Sequence, residues 1–367
     1  MKLHYIIYED FSRERASNWQ IANTTRLLGD LGMAVALVFP YKFVIDSSYK
    51  IGAAIEFLFD ETFAKFNRLN IFKFSWKLFR YFKKQYKSAD NILYFRHVVL
   101  LPAVLFIKIF LPKIRIVYEV HREVNDIFGR WCESQLINRQ AKLITISQAL
   151  KRVYLEKYKR LSDKNIQVVH DAVDFDKFAI NVSSNSAKQK LGINLKRPVV
   201  MYVGSLWLVK GADLILKAAK ILVDYDFYLI GKEYEDFAKI KEAYKDLPNV
   251  FIHGAVPHGE VPIWQKAADL LVIPHPQNNL SQSPLKLFEY LASGRPIIAA
   301  RLENLQEVLP MESLFFVPGE ATDLANKIRQ FFKEREIYEE QAQANQAIAQ
   351  KYSWENRARL IKDFISN

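Results

Sequence analysis

Short apolar runs alternate with amphipathic stretches of helical periodicity along almost the whole chain. Such runs are typical of strands buried on both faces of a parallel sheet, and the stretches between them of connecting helices. The runs in the first half are Leu3–Tyr8, Ala34–Phe39, Asn91–Phe95, Ile114–Glu119, Leu143–Ile146 and Ile166–Val169. Those in the second half are Val199–Val203, Asp226–Ile230, Val250–His253, Leu270–Ile273, Pro296–Ala299 and Leu314–Val317. The pattern predicts an α/β protein with two doubly wound, Rossmann-like domains.

A polar stretch separates the two series of strands. It runs from Asn181 to Arg197 and reads NVSSNSAKQKLGINLKR. We therefore place an N-terminal domain at residues 1–180 and a second domain from residue 181 onward. Because ligands of doubly wound sheets bind beyond the carboxyl ends of the strands, we expect the two domains to face each other across a ligand-binding cleft.

The charge of the chain is concentrated in its first half. The 367 residues carry a net charge of +12. Residues 1–180 hold 29 Lys and Arg against 18 Asp and Glu, and residues 181–367 hold 23 against 22.

A single cysteine, Cys132, excludes a disulfide framework and a cysteine-based zinc cage. The early acids Glu9 and Asp10 leave no room for the apolar core of a signal peptide, so we expect a protein that is not exported.

Residues 63–88 are rich in basic and aromatic residues and contain no Asp or Glu. The basic residues are Lys65, Arg68, Lys73, Lys77, Arg80, Lys83, Lys84 and Lys87. An amphipathic segment of this kind is typical of contact with an anionic membrane surface. The alternative is a surface helix that carries solvated lysines over a core-facing aromatic stripe. We find no nucleic-acid-binding motif. The most apolar stretch, His97–Pro112, is too short to span a bilayer and predicts a buried or interfacial helix.

The segment SQSPLKLFEYLASGRPII, residues 281–298, predicts a well-defined helix. Ser283 is a good N-cap, Pro284 suits the first helical position and Gly294 ends the helix, which places it at Pro284–Ser293. Spacing assigns a packed face and a polar face. The packed face is Leu285, Phe288 and Ala292, and the polar face is Lys286, Glu289, Tyr290 and Ser293.

The start of this helix is a candidate phosphate site, because a helix N-terminus offers free N–H groups and a partial positive charge. Lys286 in the first turn suits a dianionic ligand, and Glu289 can accept hydrogen bonds from two hydroxyls of a ribose. The alternative is a structural helix with a Lys286–Glu289 surface pair. A second candidate lies upstream, where Gly204 and Ser205 follow an apolar run and precede Lys210. No G-x-G-x-x-G or Walker A sequence is present.

Five ordered motifs carry a family resemblance: VGSLWLVKGADLIL, FYLIGKE, VFIHGAV, ADLLVIPH and SQSPLKLFEYLASGRPIIA. This order resembles the donor domain of retaining GT-B glycosyltransferases of the GT4 type, over residues 140–365. The closing YSWENRARLIKDFI resembles the terminal helix of that family, which crosses back to the first domain. The resemblance therefore implies that residues 352–367 pack on the first domain and that the donor domain is 181–351.

The resemblance also implies roles for particular residues. Glu289 would bind the donor ribose, Lys210 the diphosphate, and His121 would reach the sugar and the diphosphate, so these three are the catalytic candidates. The remaining donor-binding candidates are Gly204, Ser205, Gly231, Ser283, Pro284, Leu285 and Lys286, with the backbone of Ala255 and Val256 at the nucleobase. The chain departs from the family where Ser281 replaces the first glutamate of E-x7-E and Ser205 replaces a common arginine. Lys286 would compensate for that arginine.

The function implied is transfer of a hexose from a UDP- or GDP-sugar to a glycan or lipid-linked acceptor, with retention and without a metal or other cofactor. Cell-surface polysaccharide or lipopolysaccharide synthesis at the cytoplasmic face of the membrane suits the basic first half. Two alternatives remain at this stage: a catalytically impaired sugar-nucleotide-binding scaffold, and a UDP-sugar epimerase or phosphorylase of the same fold. Two D-x-D patterns, at Asp174 and Asp224, are weak metal signals, and His253, His258 and His275 have no zinc-site spacing.

Overall fold

The computed structural model describes residues 1–9, 11–12, 16–42, 45–46, 49–62, 68–85, 91–276, 285–310 and 312–366. These residues form two compact units. Unit 1 comprises residues 1–171 and 354–366, and unit 2 comprises residues 172–276 and 285–353. The division after Asp171 comes before the predicted boundary at residue 180. The terminal helix belongs to unit 1, to which the family resemblance assigned it.

Unit 1 is built on a parallel sheet that has seven strands within the described residues, in the order β3-β2-β1-β4-β5-β6-β7. The strands are β1 (Lys2–Ile6), β2 (Ala34–Lys42), β3 (Ala54–Thr62), β4 (Asn91–Phe95), β5 (Arg115–Val120), β6 (Lys142–Thr145) and β7 (Ile166–Val168). The helices are α1 (Ala16–Asp30), α2 (Arg68–Gln85), α3 (Leu101–Phe110), α4 (Ile127–Asn138) and α5 (Gln148–Lys157). Helix α15 (Trp354–Ser366) completes the unit and packs beside α1.

Unit 2 is built on a second parallel sheet, with six strands in the described residues and the order β10-β9-β8-β11-β12-β13. The strands are β8 (Val199–Val203), β9 (Asp226–Ile230), β10 (Val250–His253), β11 (Leu270–Ile273), β12 (Ile297–Ala300) and β13 (Leu314–Phe316). The helices are α6 (Phe175–Phe178), α7 (Ser184–Lys190), α8 (Ala212–Ile221), α9 (Glu235–Lys241), α10 (Val261–Ala267), α11 (Leu285–Ser293), α12 (Glu303–Gln306), α13 (Ala321–Lys333) and α14 (Arg335–Lys351).

The sequence pattern predicted the sheets well, and the α/β fold class is confirmed. Every predicted strand forms, with ends that shift by no more than a few residues. The pattern missed β3, which lies at the edge of its sheet and contains Glu56. An edge strand has only one hydrogen-bonded neighbour and tolerates polar residues, so it lacks the continuous apolar run that revealed the inner strands.

The basic segment predicted to contact a membrane and the apolar stretch His97–Pro112 both contain helices of unit 1. Helix α2 covers the middle of the basic segment, while residues 63–67 and 86–88 lie outside the described residues. Helix α3 begins at Leu101, after a short 3-10 turn, and buries its first half. Among the described helices, none combines the length and the apolar character needed to cross a membrane.

Candidate functional site

The sheet of unit 2 reverses the direction of its strand order between β8 and β11. The chain runs from β8 outward through β9 to β10, and from β11 outward through β12 to β13. Ligands of doubly wound sheets bind at such a switch point, in the crevice outside the carboxyl ends of the strands. Gly204 directly follows β8, and Pro274 and His275 follow β11. The candidate site of unit 2 therefore lies at the carboxyl ends of these two strands.

Two glycines line this edge of the sheet with backbone alone. Gly204 has a φ of +156° and Gly231 a φ of +153°, and the Gly204 N–H donates to the carbonyl of Ile230 at 2.8 Å. A Cβ at Gly204 would lie 2.7 Å from Nζ of Lys286, and a Cβ at Gly231 would overlap the carbonyl of Gly204. Only glycine fits at position 231, whereas a side chain at position 204 would strain the backbone and displace the end of Lys286. The close packing of Gly204 against Gly231 is thus a property of the fold, and the expected close approach of a ligand to Gly204 stays a prediction.

Lys286 lies in the first turn of α11 and points at the end of β8. Its Nζ donates to the hydroxyl of Tyr202 at 2.6 Å and lies 4.0 Å from the centre of the Tyr202 ring. The Tyr202 hydroxyl in turn donates to the carbonyl of Ser205 at 2.9 Å. Burial lowers the pKa of Lys286 well below its usual value, and the charge of Lys210 lowers it further. The site therefore contains the buried amino group of Lys286, whose hydrogen-bond acceptor, the Tyr202 hydroxyl, carries no charge.

Lys210 ends a 3-10 turn that leads into α8. Gly211 follows with a φ of +77°, and a Cβ there would overlap the carbonyl of Pro274, so the turn lies directly against the end of β11. Burial lowers the pKa of Lys210. The charge of Lys210 lowers the pKa of Lys286, and the charges of both lysines lower the pKa of His275. The structure thus brings together two of the predicted phosphate-binding residues from separate motifs.

Glu289 lies one turn further along α11 and has two neighbours that the sequence did not indicate. Its Oε1 is 3.6 Å from Nε2 of His258, and its Oε2 accepts a hydrogen bond from Nε2 of Gln265 at 3.4 Å. The carboxylate is about one fifth exposed. The Lys286–Glu289 ion pair expected for a plain surface helix does not form among the described residues, where Lys286 donates to Tyr202 instead.

The predicted polar face of this helix is wrong at Tyr290 and Ser293, which are both completely buried. The Tyr290 hydroxyl accepts from the Val203 N–H at 2.8 Å and donates to the Val203 carbonyl at 3.1 Å. The Ser293 hydroxyl donates to the carbonyl of Tyr290 at 2.7 Å. Because both hydroxyls find backbone partners, the helix can bury them, and residue polarity alone misassigned them.

The other donor-site candidates are placed as follows. Ser205 is exposed, Ala255 is exposed, and Val256 packs against the core of unit 2. Leu285 is half-buried and is the first residue of α11, one residue after the predicted start. Ser281, Ser283 and Pro284 lie outside the described residues. The proposed N-cap is therefore a prediction that stands on the sequence alone.

The candidate residue of unit 1, His121, follows β5 and is held by a buried carboxylate. Its Nε2 is 2.7 Å from Oε1 of Glu119, and its Nδ1 is 3.4 Å from Nη2 of Arg96. Arg96 has no acceptor, so we assign its contact as donation to Nδ1, and the remaining ring proton as donation from Nε2 to Glu119. Burial lowers the pKa of His121, and Arg96 lowers it further. The imidazole is thus fixed in one neutral tautomer.

Sequence reasoning missed the groups that hold His121. Glu119 is 1% exposed and also accepts from the hydroxyl of Tyr94 and from Nη2 of Arg357, the latter at 2.6 Å. Burial by itself would raise the pKa of Glu119, but the charges of Arg357 and Arg96 and the hydrogen bond from His121 lower it well below its usual range. A carboxylate inside a predicted strand, as in IVYEV, was the available signal, because a buried charge requires a partner.

The metal signals have structural explanations in the described residues. Asp174 caps α6 by accepting from the N–H of Lys177 at 3.3 Å. Asp226 accepts from Nε of Arg197 at 2.6 Å. No group of three or more His, Cys, Asp or Glu suited to a metal ion occurs within the described ranges. Independence from a metal stays a prediction.

The fold defines the class of protein. The two Rossmann-like α/β units are those of GT-B glycosyltransferases. The chain superimposes on Anabaena HepE in complex with UDP-glucose with a TM-score of 0.75 and 17% identity, over 100% of this chain and 99% of that one. At this identity the likeness shows the fold.

The sequence comparison shows a family similarity that lies in the second half of the chain. Residues 183–365 match the family described as glycosyl transferases group 1. The chain is 23% identical to the sulfoquinovosyl transferase SQD2 of Arabidopsis thaliana, over 64% of this chain and 46% of that protein. It is 24% identical to the lipopolysaccharide 1,2-N-acetylglucosaminetransferase of Salmonella typhimurium, over 64% of each. The chain spans about half the length of the first two curated relatives it matches. These matches support a group 1 glycosyltransferase of the GT-B fold.

Proposed function

We propose that the protein is a retaining glycosyltransferase that moves a hexose from a UDP- or GDP-sugar to a glycan or lipid-linked acceptor, without a metal. The observation that carries the proposal is the pair Lys210 and Lys286 at the switch point of unit 2, beside the bare backbone of Gly204. Two desolvated amino groups next to an approachable backbone suit a compact, highly charged anion. A nucleoside diphosphate is such an anion, and HepE was crystallised with UDP-glucose.

The proposed chemistry uses these groups to stabilise the leaving nucleoside diphosphate. The bond from the anomeric carbon to the diphosphate oxygen breaks, and the negative charge on the diphosphate grows in the transition state. Lys210 and Lys286 stabilise that charge from positions that the fold already holds at the carboxyl end of the sheet. The family resemblance implies that the acceptor hydroxyl attacks from the same face and gives its proton to the leaving phosphate. The resemblance further implies that Glu289 binds the ribose and gives His121 a role toward the sugar.

The acceptor side of the proposal rests on the outer face of α2 in unit 1. The helix buries Phe74, Leu78 and Phe82 in the core. This is the core-facing stripe that the alternative interpretation, a plain surface helix, predicts. Its exposed face carries Lys73, Lys77, Arg80, Lys83 and Lys84. Residues 68–85 and 91–118 contain no acidic side chain. Since an ordinary solvated face carries both signs of charge, this face suits the anionic headgroups of a membrane.

Exposed aromatic side chains accompany the basic residues. Phe72 is 73% exposed and Trp76 is 50% exposed on α2, and Phe110 is 58% exposed at the end of α3, which packs against α2. Aromatic and basic residues together are typical of helices that lie in a membrane interface. We therefore propose that unit 1 docks on an anionic membrane from its cytoplasmic side, where a lipid-linked sugar or lipopolysaccharide acceptor is available.

The test of the enzyme is donor binding and turnover. A thermal-shift screen of UDP-, GDP- and ADP-sugars ranks the donors, because ligand at about 100 times its Kd adds about 2.7 kcal/mol to the free energy of unfolding. Lys210→Ala and Glu289→Ala are expected to abolish donor hydrolysis and transfer while the fold is retained. Lys217→Ala, an exposed lysine on α8 paired with Asp213, is the matched control. Binding without any turnover across a broad acceptor panel would favour a scaffold protein instead.

The test of the membrane surface is co-sedimentation with vesicles that contain anionic lipid. Changing Lys73, Lys77, Lys83 and Lys84 to Glu is expected to abolish binding. The control changes four exposed lysines of unit 2, Lys190, Lys196, Lys220 and Lys245, and so alters the net charge equally. An equal loss of vesicle binding in both variants would show that binding depends only on net charge. Retained vesicle binding in the α2 variant would exclude α2 as the docking face.

A further inference from the structure

His275 is a buried histidine at the switch point of unit 2 that the proposed mechanism does not use. It follows the central strand β11, whose neighbour β8 leads into Gly204. The carbonyl of the preceding Pro274 lies against Gly211, next to Lys210. The chain therefore fixes His275 at the same edge of the sheet as the candidate diphosphate site.

The side chain of His275 is 1% exposed, and within the described part of the chain neither of its ring nitrogens has a hydrogen-bonding partner. Buried polar groups are nearly always hydrogen-bonded in native proteins, so an imidazole with two unused nitrogens requires an explanation. An apolar residue would fill this position at lower cost. A ligand that binds at the switch point would supply the missing partner.

The charged groups that act on His275 are both cations. Lys286 and Lys210 lie close enough to oppose its protonation, and with burial they lower its pKa well below the usual value. Without a bound anion the imidazole is therefore neutral. Glu289 is the acid that acts on Lys286, and it holds His258 rather than His275. Lys210 and Lys286 thus create a positive potential around His275, whose neutral imidazole can still accept a proton.

We propose that His275 is a third ligand of the donor diphosphate, which takes up a proton as the anion binds and donates a charged hydrogen bond to a phosphate oxygen. This inference rests on the proposed function. The dianionic phosphate cancels the repulsion from the two lysines, so the same site that rejects a proton when empty accepts one when occupied. Binding of the donor is then linked to proton uptake, and release of the nucleoside diphosphate to proton loss.

The test is calorimetric titration of the full chain with UDP, GDP and ADP in two buffers of different ionisation enthalpy. The difference between the two buffers counts the protons taken up. His275→Gln is expected to weaken binding about tenfold or more, since a hydrogen bond to a charged group is lost, and to reduce proton uptake relative to the wild type. His253→Gln is the control, because that exposed histidine at the end of β10 is expected to leave both values unchanged.

The outcomes separate the two proposals. If the wild type binds a nucleoside diphosphate and His275→Gln binds it with equal affinity and equal proton uptake, the role of His275 is overturned and the proposed function stands. If the wild type binds none of the three, the proposed function fails and this inference with it. Should His275→Gln not fold, His275→Asn and the ring ¹⁵N shifts of the seven histidines in the wild type, with and without ligand, give the same information.

Discussion

Nη2 of Arg357 donates a hydrogen bond to Oε1 of Glu119 at 2.6 Å, and both side chains are almost completely buried. Arg357 lies on the terminal helix α15, and Glu119 lies on β5, two residues before His121. Nη1 of Arg357 also donates to the carbonyl of Val169 at 2.8 Å. The terminal helix thus fixes the carboxylate that holds the catalytic candidate of unit 1.

Replacing Arg357 by Met should destabilise the protein strongly. The substitution keeps most of the side-chain volume but leaves the carboxylate of Glu119 buried without its main counter-charge, which costs about 3–5 kcal/mol. The measurement is the free energy of unfolding in urea. Arg359→Met on the exposed face of α15 is the control and should change it by less than about 0.5 kcal/mol. The double change with Glu119→Gln should recover part of the loss, and an equal cost for Arg357→Met and Arg359→Met would contradict the pairing.

The stability of the protein should fall on acidification in a manner that depends on Glu119. The folded pKa of Glu119 is lowered well below its usual range, so the unfolded chain takes up a proton at a pH where the folded protein does not. The contribution is fully present above the unfolded pKa and is lost as the pH falls through the folded pKa. We expect Glu119→Gln to flatten the dependence of the free energy of unfolding on pH between about pH 6 and pH 3. Glu355→Gln, exposed on α15, should keep the wild-type slope.

His121 should remain a neutral imidazole with its proton on Nε2 at pH values where an ordinary histidine is charged. Burial and the neighbouring Arg96 lower its pKa, while the Nε2 contact to Glu119 selects the tautomer. Ring ¹⁵N shifts of histidine-labelled protein at about pH 6 would show this directly, since a free histidine is largely protonated there. An imidazolium shift for His121 at neutral pH would contradict the assignment.

The sheets were predictable from the sequence because their strands are buried on both faces. A strand such as β8 or β11 can contain only apolar residues, so each appears as an uninterrupted run. The glycines and lysines of unit 2 were also predictable, since Gly204 and Lys210 follow such a run in a recognisable order. The edge strand β3 left no comparable signal.

The partners of the site residues were not predictable, because they come from distant parts of the chain. Glu119 and Arg357 are 238 positions apart, and Lys286 and Tyr202 are 84 positions apart. Local spacing suggested the pair Lys286–Glu289, whereas the fold offers Lys286 a tyrosine hydroxyl and Glu289 a histidine. The sequence around His275 has no zinc-site spacing, and only the fold reveals that this histidine is buried without a hydrogen-bonding partner among the described residues.

The spacing between Gly204 and Lys286 leads to a last prediction, which rests on the proposed function. In Gly204→Ala the new methyl would lie 2.7 Å from Nζ of Lys286 and 3.3 Å from the Tyr202 hydroxyl, so the lysine must leave its present position. We expect donor affinity to fall at least tenfold, as for the loss of one charged hydrogen bond. Gly192→Ala is the matched control, because Gly192 also has a positive φ, +67°, but a Cβ there meets no atom within 4 Å. Both substitutions carry backbone strain of about 1–3 kcal/mol, which unfolding in urea measures. Only Gly204→Ala should weaken binding of the UDP- or GDP-sugar that the screen identifies. If the two variants bind the donor with equal affinity, Gly204 is not part of the phosphate site.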